Sequence, residues 1–302
     1  MVKIKFREIR MGKANKERLG TINGIIEEYQ DEGYVLTLRQ LYYQLVSRDI
    51  IPNKQAEYSK LSTLLKEGRM AGIVDWDAIE DRLRKPYKPS SFDSPQDILE
   101  ACINQYELPR MEGQNIYLEV WVEKDALSGV LKRVTEKYHV PILVNRGYSS
   151  ASAMYDSFMR FVRNGAYKER PVKVLYLGDY DPSGLDMIRD IRERIIEFQE
   201  GYNYGTLVEQ MQFSVEPIAL TREQIEQYNP PPNPAKVTDP RAKDFIKKHG
   251  RTSWEVDALR PEVLNALLRD AILENINESL YLDIVNREDA DKEKLRSLVY
   301  YL

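Results

Sequence analysis

Three carboxylates stand where this sequence turns from apolar to polar. The stretch "NIYLEVWVE" (115–123) alternates like a half-buried strand and ends at Glu123. The stretch "VKVLYLGDYDPSG" (172–184) is a nearly continuous apolar run that ends in Asp179 and Asp181. Two residues apart in an extended segment, the side chains of Asp179 and Asp181 lean the same way. Carboxylates at neighbouring strand tips repel one another, and a cation between them relieves the repulsion. Oxygen donors without Cys or His point to a hard ion, most simply Mg2+. The competing reading is local: Asp and Ser-Gly are common helix caps and turn formers. Lys124 and Arg146, beside these tips, are candidate phosphate contacts, or else solvated loop cations.

A second group with chemical potential lies far upstream, in "LTLRQLYYQL" (36–45). Leu38, Leu41, Tyr42, Leu45 and Val46 recur at the spacing of one buried helix face. At about 100° per residue, Tyr42 lies about 40° from Leu38 and Tyr43 about 140° away. Arg39, at about 100°, flanks Tyr43 one turn earlier. This geometry predicts a core role for Tyr42 and an outward Tyr43 beside a guanidinium. A phenol with a pKa near ~10 is a poor nucleophile at neutral pH. An adjacent cation favours the phenolate and can also hold a phosphate oxygen.

These groups must be positioned by two kinds of structure. The front of the chain reads as helical, with one helix over about 37–48 and another over about 54–70. The second carries Leu61, Leu64 and Leu65 inward and leaves Lys60, Lys66 and Arg69 outward. "GIVDW" (72–76) reads as a short strand. Helix, turn, helix, strand is the order of a winged helix-turn-helix, which lays its second helix in the DNA major groove. On that reading Lys60, Lys66 and Arg69 contact DNA; other such modules bind proteins instead. A boundary falls between about 85 and 113, where "RKPYKPSSFDSP" is rich in proline and serine, and a helix over 95–105 bridges to the next unit. The domains expected are 1–110 and 111–302. After the boundary, strands at 115–123, 141–145, 172–178 and 213–220 alternate with helices. That pattern predicts an α/β unit, a mostly parallel sheet with helices on both faces and a helical C-terminal tail. Ligands of such sheets bind beyond the carboxyl ends of the strands, where Glu123, Asp179 and Asp181 lie.

Composition narrows the class. With 302 residues, 42% hydrophobic, there is enough chain for about two domains with real cores. The net charge of −4 conceals an asymmetry. Residues 1–90 hold 17 basic and 13 acidic side chains, and the rest hold 27 and 35. A basic front beside an acidic remainder fits a nucleic-acid-binding module joined to another unit. One cysteine, Cys102, excludes an intramolecular disulfide and fits a reducing, cytoplasmic compartment. No apolar run reaches membrane-spanning length, so no membrane association is expected. The N-terminus lacks the apolar core of a signal peptide.

"VWVEKDALSGVL" followed by "VLYLGDYDPSGLDM" resembles a Toprim domain: a glutamate after the first strand, then a D-x-D pair. "VEKDA" and "DYDPSG" are similar to segments of the topoisomerase VI A subunit and the related meiotic double-strand-break protein. "NRGYSSASAMYDSFMRF" stands where that family has a glycine-bearing loop and helix. "LRQLYYQL" matches the upstream winged-helix segment of arginine, three residues, tyrosine, with Arg39 and Tyr43 in those places. The resemblance covers about 35–200, and "TSWEVDALRP" (252–261) resembles the tail of such proteins more loosely. It implies a winged helix followed by a Toprim domain and Mg2+-dependent cleavage of double-stranded DNA. Tyr43 is then the nucleophile that becomes linked to a 5′ phosphate, with Arg39 beside it. Asp179 and Asp181 hold the metal, and Glu123 is a further ligand or the acid/base near the leaving oxygen. It also implies a homodimer in which the tyrosine of one copy serves the metal site of the other. No G-x-x-x-x-G-K-[ST] loop is present and the chain is short for the family, so strand passage would need an ATPase B-type subunit encoded elsewhere. Two alternatives remain open: a Toprim nuclease that hydrolyses nucleic acid without a tyrosine, and a DNA-binding protein without catalysis.

Overall fold

The protein is described from a computed structural model over residues 3–79, 89, 91–145, 147, 149–202, 206–234 and 239–299. The front unit is built on α1 (Lys13–Asp31), α2 (Leu38–Ser47) and α3 (Gln55–Met70). Thr37 starts α2 with a capping box: its side chain accepts from the Gln40 N–H, and the Gln40 side chain accepts from the Thr37 N–H at 2.8 Å. Leu19, Ile22, Tyr29, Leu41, Leu45 and Leu61 interlock as the core of this unit.

The expected strand at 72–76 does not form. Gly72 turns in the left-handed region (φ 70°) and Trp76–Ala78 makes a 3-10 turn. Only isolated bridges flank it, Lys5 with Ala71 and Leu36 with Ile79. The Asp75 side chain accepts from the Asp77 N–H at 2.9 Å, so the local capping bond outcompetes strand pairing. The proline-rich start of the expected boundary, at 80–88 and 90, lies outside the described residues, as does Arg146.

Helix α4 (Pro95–Gln105) bridges to the sheet unit, where strands and helices alternate: β1 (Tyr117–Val122), α5 (Asp125–Tyr138), β2 (Ile142–Val144), α6 (Ala151–Asn164), β3 (Val172–Leu177), α7 (Pro182–Gly201), the short α8 (Thr206–Glu209) and β4 (Phe213–Ala219). The four strands are all parallel in the order β2-β1-β3-β4. Alternation sorts the two faces. Leu118, Val120 and Val122 of β1 join Leu175 and Leu177 of β3 on one side. Trp121 joins Val174 and Tyr176 on the other. Packed on the first face are Leu127 and Leu131 of α5; on the second are Phe158 of α6 and Met187 of α7. The result is a mixed α/β fold with a helix layer on each side of a four-stranded parallel sheet.

The remaining elements are α9 (Arg222–Tyr228), β5 (Asn233–Pro234), α10 (Ala242–His249), β6 (Thr252–Ser253), α11 (Pro261–Asn275), which packs on α5 and β4, and α12 (Glu278–Val299), which packs on α4. Among the described residues, no helix is long and apolar enough to cross a membrane.

Candidate functional site

The carboxyl ends of β1 and β3 meet α2 at one polar centre. Beyond β3 the chain runs Gly178, Asp179, Tyr180, Asp181. Tyr180 pairs with Trp254 as an antiparallel bridge, its N–H donating to the Trp254 carbonyl at 2.8 Å and the Trp254 N–H returning a bond of 3.0 Å. That staple lays "WEVDA" (254–258) along the strand tip and brings Glu255 and Asp257 beside Asp179. The Val256 N–H donates to Asp179 Oδ1 at 2.9 Å. Ligand oxygens of Asp179, Glu255 and Asp257 all lie within 4.8 Å of one another, close enough to hold a metal ion.

Two cations answer these acids. Lys124, the residue after the tip glutamate, places its Nζ 2.7 Å from Asp179, 2.8 Å from Glu255 and 2.7 Å from Asp257. Arg39 reaches across from α2, donating Nε to Asp257 at 2.7 Å and Nη2 to Glu255. Glu255 faces the Tyr43 hydroxyl closely enough to act on it electrostatically, and the Arg39 guanidinium carbon stands 5.8 Å from the Tyr43 ring centre. The tyrosine, two cations and three acids thus form one network within a single chain.

Burial drives the protonation behaviour. It pushes Asp179 up to about 7, with Glu123 and Asp257 adding to the rise against the pull of Lys124. Burial would raise Glu255 as well, but Lys124 and Arg39 outweigh it and bring that carboxyl down to about 2. Burial works against the charge on Lys124, yet Asp257, Asp179 and Glu255 more than compensate and hold its ammonium well above the usual lysine range.

Tyr43 differs from the outward phenol expected from the helical wheel. It is 5% exposed, as buried as Tyr42 at 4%. The 3-10 turn Val256–Ala258 covers the flank of α2 that a lone helix would leave open, and Ala258 joins the front unit's core. The phenol is also shifted the other way. Burial first, then Glu255 and Asp257, push it well above the tyrosine range, and Arg39 opposes this only in part. Tyr42 is a core residue, its hydroxyl donating to Asn53 Oδ1 at 3.0 Å.

Of the three acids read from the strand tips, Asp179 belongs to the ligand-spaced cluster. Glu123 Oε2 accepts from the Asp179 N–H at 3.1 Å, so Glu123 and Asp179 are neighbours. Asp181 caps α7, its Oδ1 accepting from the N–H groups of Ser183 (3.0 Å) and Gly184 (2.7 Å). The acids that gather around Asp179 at ligand spacing are Glu255 and Asp257. Their signal in the sequence is the E-x-D of "TSWEVDALRP", the same two-residue spacing as the D-x-D pair. Gly184 is also explained: a Cβ there would stand 2.1 Å from the Asp179 carbonyl oxygen, so only glycine lets α7 start this close to the acid loop.

The basic candidates divide. Lys66 is exposed, and Lys60 is exposed beside Glu57 at 2.7 Å. Arg69 turns inward, donating to the Ile79 carbonyl at 3.0 Å with its guanidinium 5.9 Å from the Trp76 ring centre. Lys124 is an internal counter-ion of the acid cluster. The paired tyrosine, which the family resemblance would join to the acids of a second copy, meets Glu255 of its own chain.

Next to this network opens a polar cavity of about 410 Å³. Tyr42, Tyr43 and Tyr58 line it together with Arg39, Asn53 and Glu255. Compared with known proteins, the chain matches no protein-family model and none of the curated proteins.

Proposed function

We propose that this protein cleaves DNA by tyrosine transesterification, with Tyr43 as nucleophile and the Asp179–Glu255–Asp257 cluster as the seat of a divalent cation. One observation carries the reading. A tyrosine hydroxyl, a guanidinium, an ammonium and three carboxylates converge from Arg39 to Asp257, 218 residues apart, beside an open polar cavity. Buried ion networks are costly to assemble and concentrate at functional sites.

In the proposed reaction the Tyr43 oxygen attacks a backbone phosphorus. The new oxygen–phosphorus bond forms as the bond to the 3′ oxygen breaks, leaving a 5′-phosphotyrosyl link and a 3′ hydroxyl. Phosphodiester energy is retained in the link, so the break can be resealed. The phenol proton passes to Glu255, the carboxylate that faces it across the cavity. With both cations on it, Glu255 is a weak base. A DNA phosphate that engages Arg39 draws one of those cations away and lifts Glu255 toward the ordinary carboxylate range. The Lys124 ammonium is the group of the centre that can protonate the departing oxygen. Glu123 backs the cluster through the Asp179 backbone.

The donor set fits a hard cation. It is all carboxylate oxygen, three acids whose ligand atoms lie within 4.8 Å of one another. Asp179, Glu255 and Asp257 would hold Mg2+, which when bound stabilises negative charge on the phosphate oxygens. Cutting both strands of a duplex needs two such centres, hence a homodimer. Strand passage would further need an ATPase partner.

A second reading, hydrolysis by a Toprim-type nuclease without a tyrosine link, draws on the burial of Tyr43 and its strongly raised phenol. A denaturing gel of the protein with end-labelled duplex and Mg2+ separates the two. Transesterification gives a protein-linked product that Tyr43→Phe eliminates while DNA binding survives. Free 5′ ends produced equally by Tyr43→Phe would establish the nuclease instead.

A further inference from the structure

The cavity beside Tyr43 has a composition that the cleavage chemistry alone does not require. Three aromatic rings form one wall. Tyr42 meets Tyr43 edge-to-face at 5.3 Å and Tyr58 at 5.4 Å, with interplanar angles of 70° and 80°. Side-chain amides form the rim. Asn53 is committed to structure: its Nδ2 donates to Asn233 Oδ1 at 2.6 Å and to the Pro232 carbonyl at 3.2 Å, while its Oδ1 accepts from Tyr42. This ties the start of α3 to the loop before β5 and fixes the shape of the opening. Two groups of the lining have no such commitment. Among the described residues, neither the Gln55 amide nor the Tyr58 hydroxyl makes a hydrogen bond to protein, and Asn233 Nδ2 reaches Glu255 only at 3.5 Å.

At about 410 Å³ the cavity falls in the size range of small-ligand sites. Aromatic faces with amide donors and acceptors at the edge are the means by which proteins hold a base taken out of its stack. The rings supply sequence-tolerant stacking, and the amides read the exposed edge. The opening lies against Arg39, the group proposed to take the phosphate. A nucleotide whose phosphate sits there has its own base within reach of the cavity. We infer that this cavity receives one unstacked DNA base from the nucleotide flanking the attacked phosphate, with Tyr58 as the stacking ring and Gln55 and Asn233 at the base edge. The inference rests on the DNA-cleaving reading of the site.

The test is equilibrium binding by fluorescence anisotropy in EDTA, where no strand is cut. Three labelled duplexes are compared: fully paired, carrying one extra unpaired base, and carrying one extra abasic nucleotide. A base-accepting cavity predicts that the unpaired base improves binding about 10-fold over both other duplexes, because the cost of unpairing is removed and stacking is retained. Tyr58→Ala abolishes the advantage of the unpaired base over the abasic nucleotide. Tyr58→Phe preserves it. Gln55→Ala, an exposed change at the start of α3 that leaves the fold intact, reduces it and guards against a folding defect in Tyr58→Ala. Equal binding of the base and abasic duplexes by the unaltered protein overturns the inference. So does a Tyr58→Ala loss that is the same for all three duplexes. The two proposals fail separately: a base preference without any Tyr43-linked product rejects transesterification only, and a Tyr43-linked product without the preference rejects the base cavity only.

Discussion

Lys124 carries the charge balance of the centre at the scale of single residues. Its ammonium touches all three acids of the cluster at 2.7 to 2.8 Å, so a divalent cation that takes those oxygens must displace it from them. Removing one member of a buried ion network leaves its partners uncompensated, at a cost of roughly 3–5 kcal/mol. Lys124→Met therefore lowers the melting temperature in calorimetry by on the order of 10 °C. Because the acids are then free to bind a cation, millimolar Mg2+ restores part of that loss and raises the melting temperature of the variant more than that of the unaltered protein. Equal Mg2+ shifts in the two proteins would sink the competition between lysine and metal. Glu255→Gln tests the partner of Tyr43: it removes the proton acceptor, so the rate of the Tyr43-linked product falls at least 100-fold while affinity for DNA in EDTA is kept.

At the scale of elements, the start of α7 positions the acids. Asp181 caps that helix and Pro182 occupies its first turn, both favourable for helix initiation. Gly184 lets the helix pass against the Asp179 carbonyl. Gly184→Ala has no room for its methyl group and displaces the Asp179 loop. Urea unfolding should record a loss of about 1–3 kcal/mol, with DNA cleavage reduced alongside it. Gly24→Ala is the matched control: it lies inside α1, exposed, with nothing within 4 Å of the new atom. That change should stabilise by up to ~1 kcal/mol through helix propensity alone. If both variants unfold at the same urea concentration, close approach is not what holds Gly184 in place.

At the scale of the whole molecule, ionic contacts tie distant parts together. Arg260, at the start of α11, bonds Glu28 of α1 and Glu32 just after it, and the Asn265 side chain donates to the Tyr34 hydroxyl at 3.0 Å. At the far end, α12 is clasped by Glu288, which is 1% exposed. It accepts from the Arg110 guanidinium at 2.8 Å and from the Leu108 N–H at 3.0 Å. Hydrogen bonds from Arg110, with Lys292 and Leu108 adding, outweigh burial and hold the Glu288 carboxyl down to about 2, against an ordinary value of 4.5. A carboxyl depressed on folding stabilises in full above its unfolded value and loses that contribution as pH falls toward its folded one. The α12 clasp therefore weakens between about pH 4.5 and pH 2. Glu288→Gln should cost roughly 2–4 kcal/mol at pH 7 and flatten the dependence of stability on pH across that window, measured by urea unfolding at pH 7 and pH 3. An unchanged slope in the variant would assign the acid sensitivity to other groups.

The strands and helices of the sheet unit, and their succession along the chain, were legible from periodicity. Helix and strand periods are local properties, so the runs ending at Glu123 and Asp179 could be read as strand tips, and Tyr42 as a core residue, from neighbours a few positions away. What meets those tips depends on long-range pairing. The pairing of Tyr180 with Trp254 recruits Glu255 and Asp257, and the same segment closes over Tyr43 and reverses the sense of its shift. Arg39 and Glu255 are 216 residues apart, and no periodicity within either segment records that they touch. Local patterns fix which way a side chain points from its own element; its charge state depends on whatever the rest of the chain packs against it.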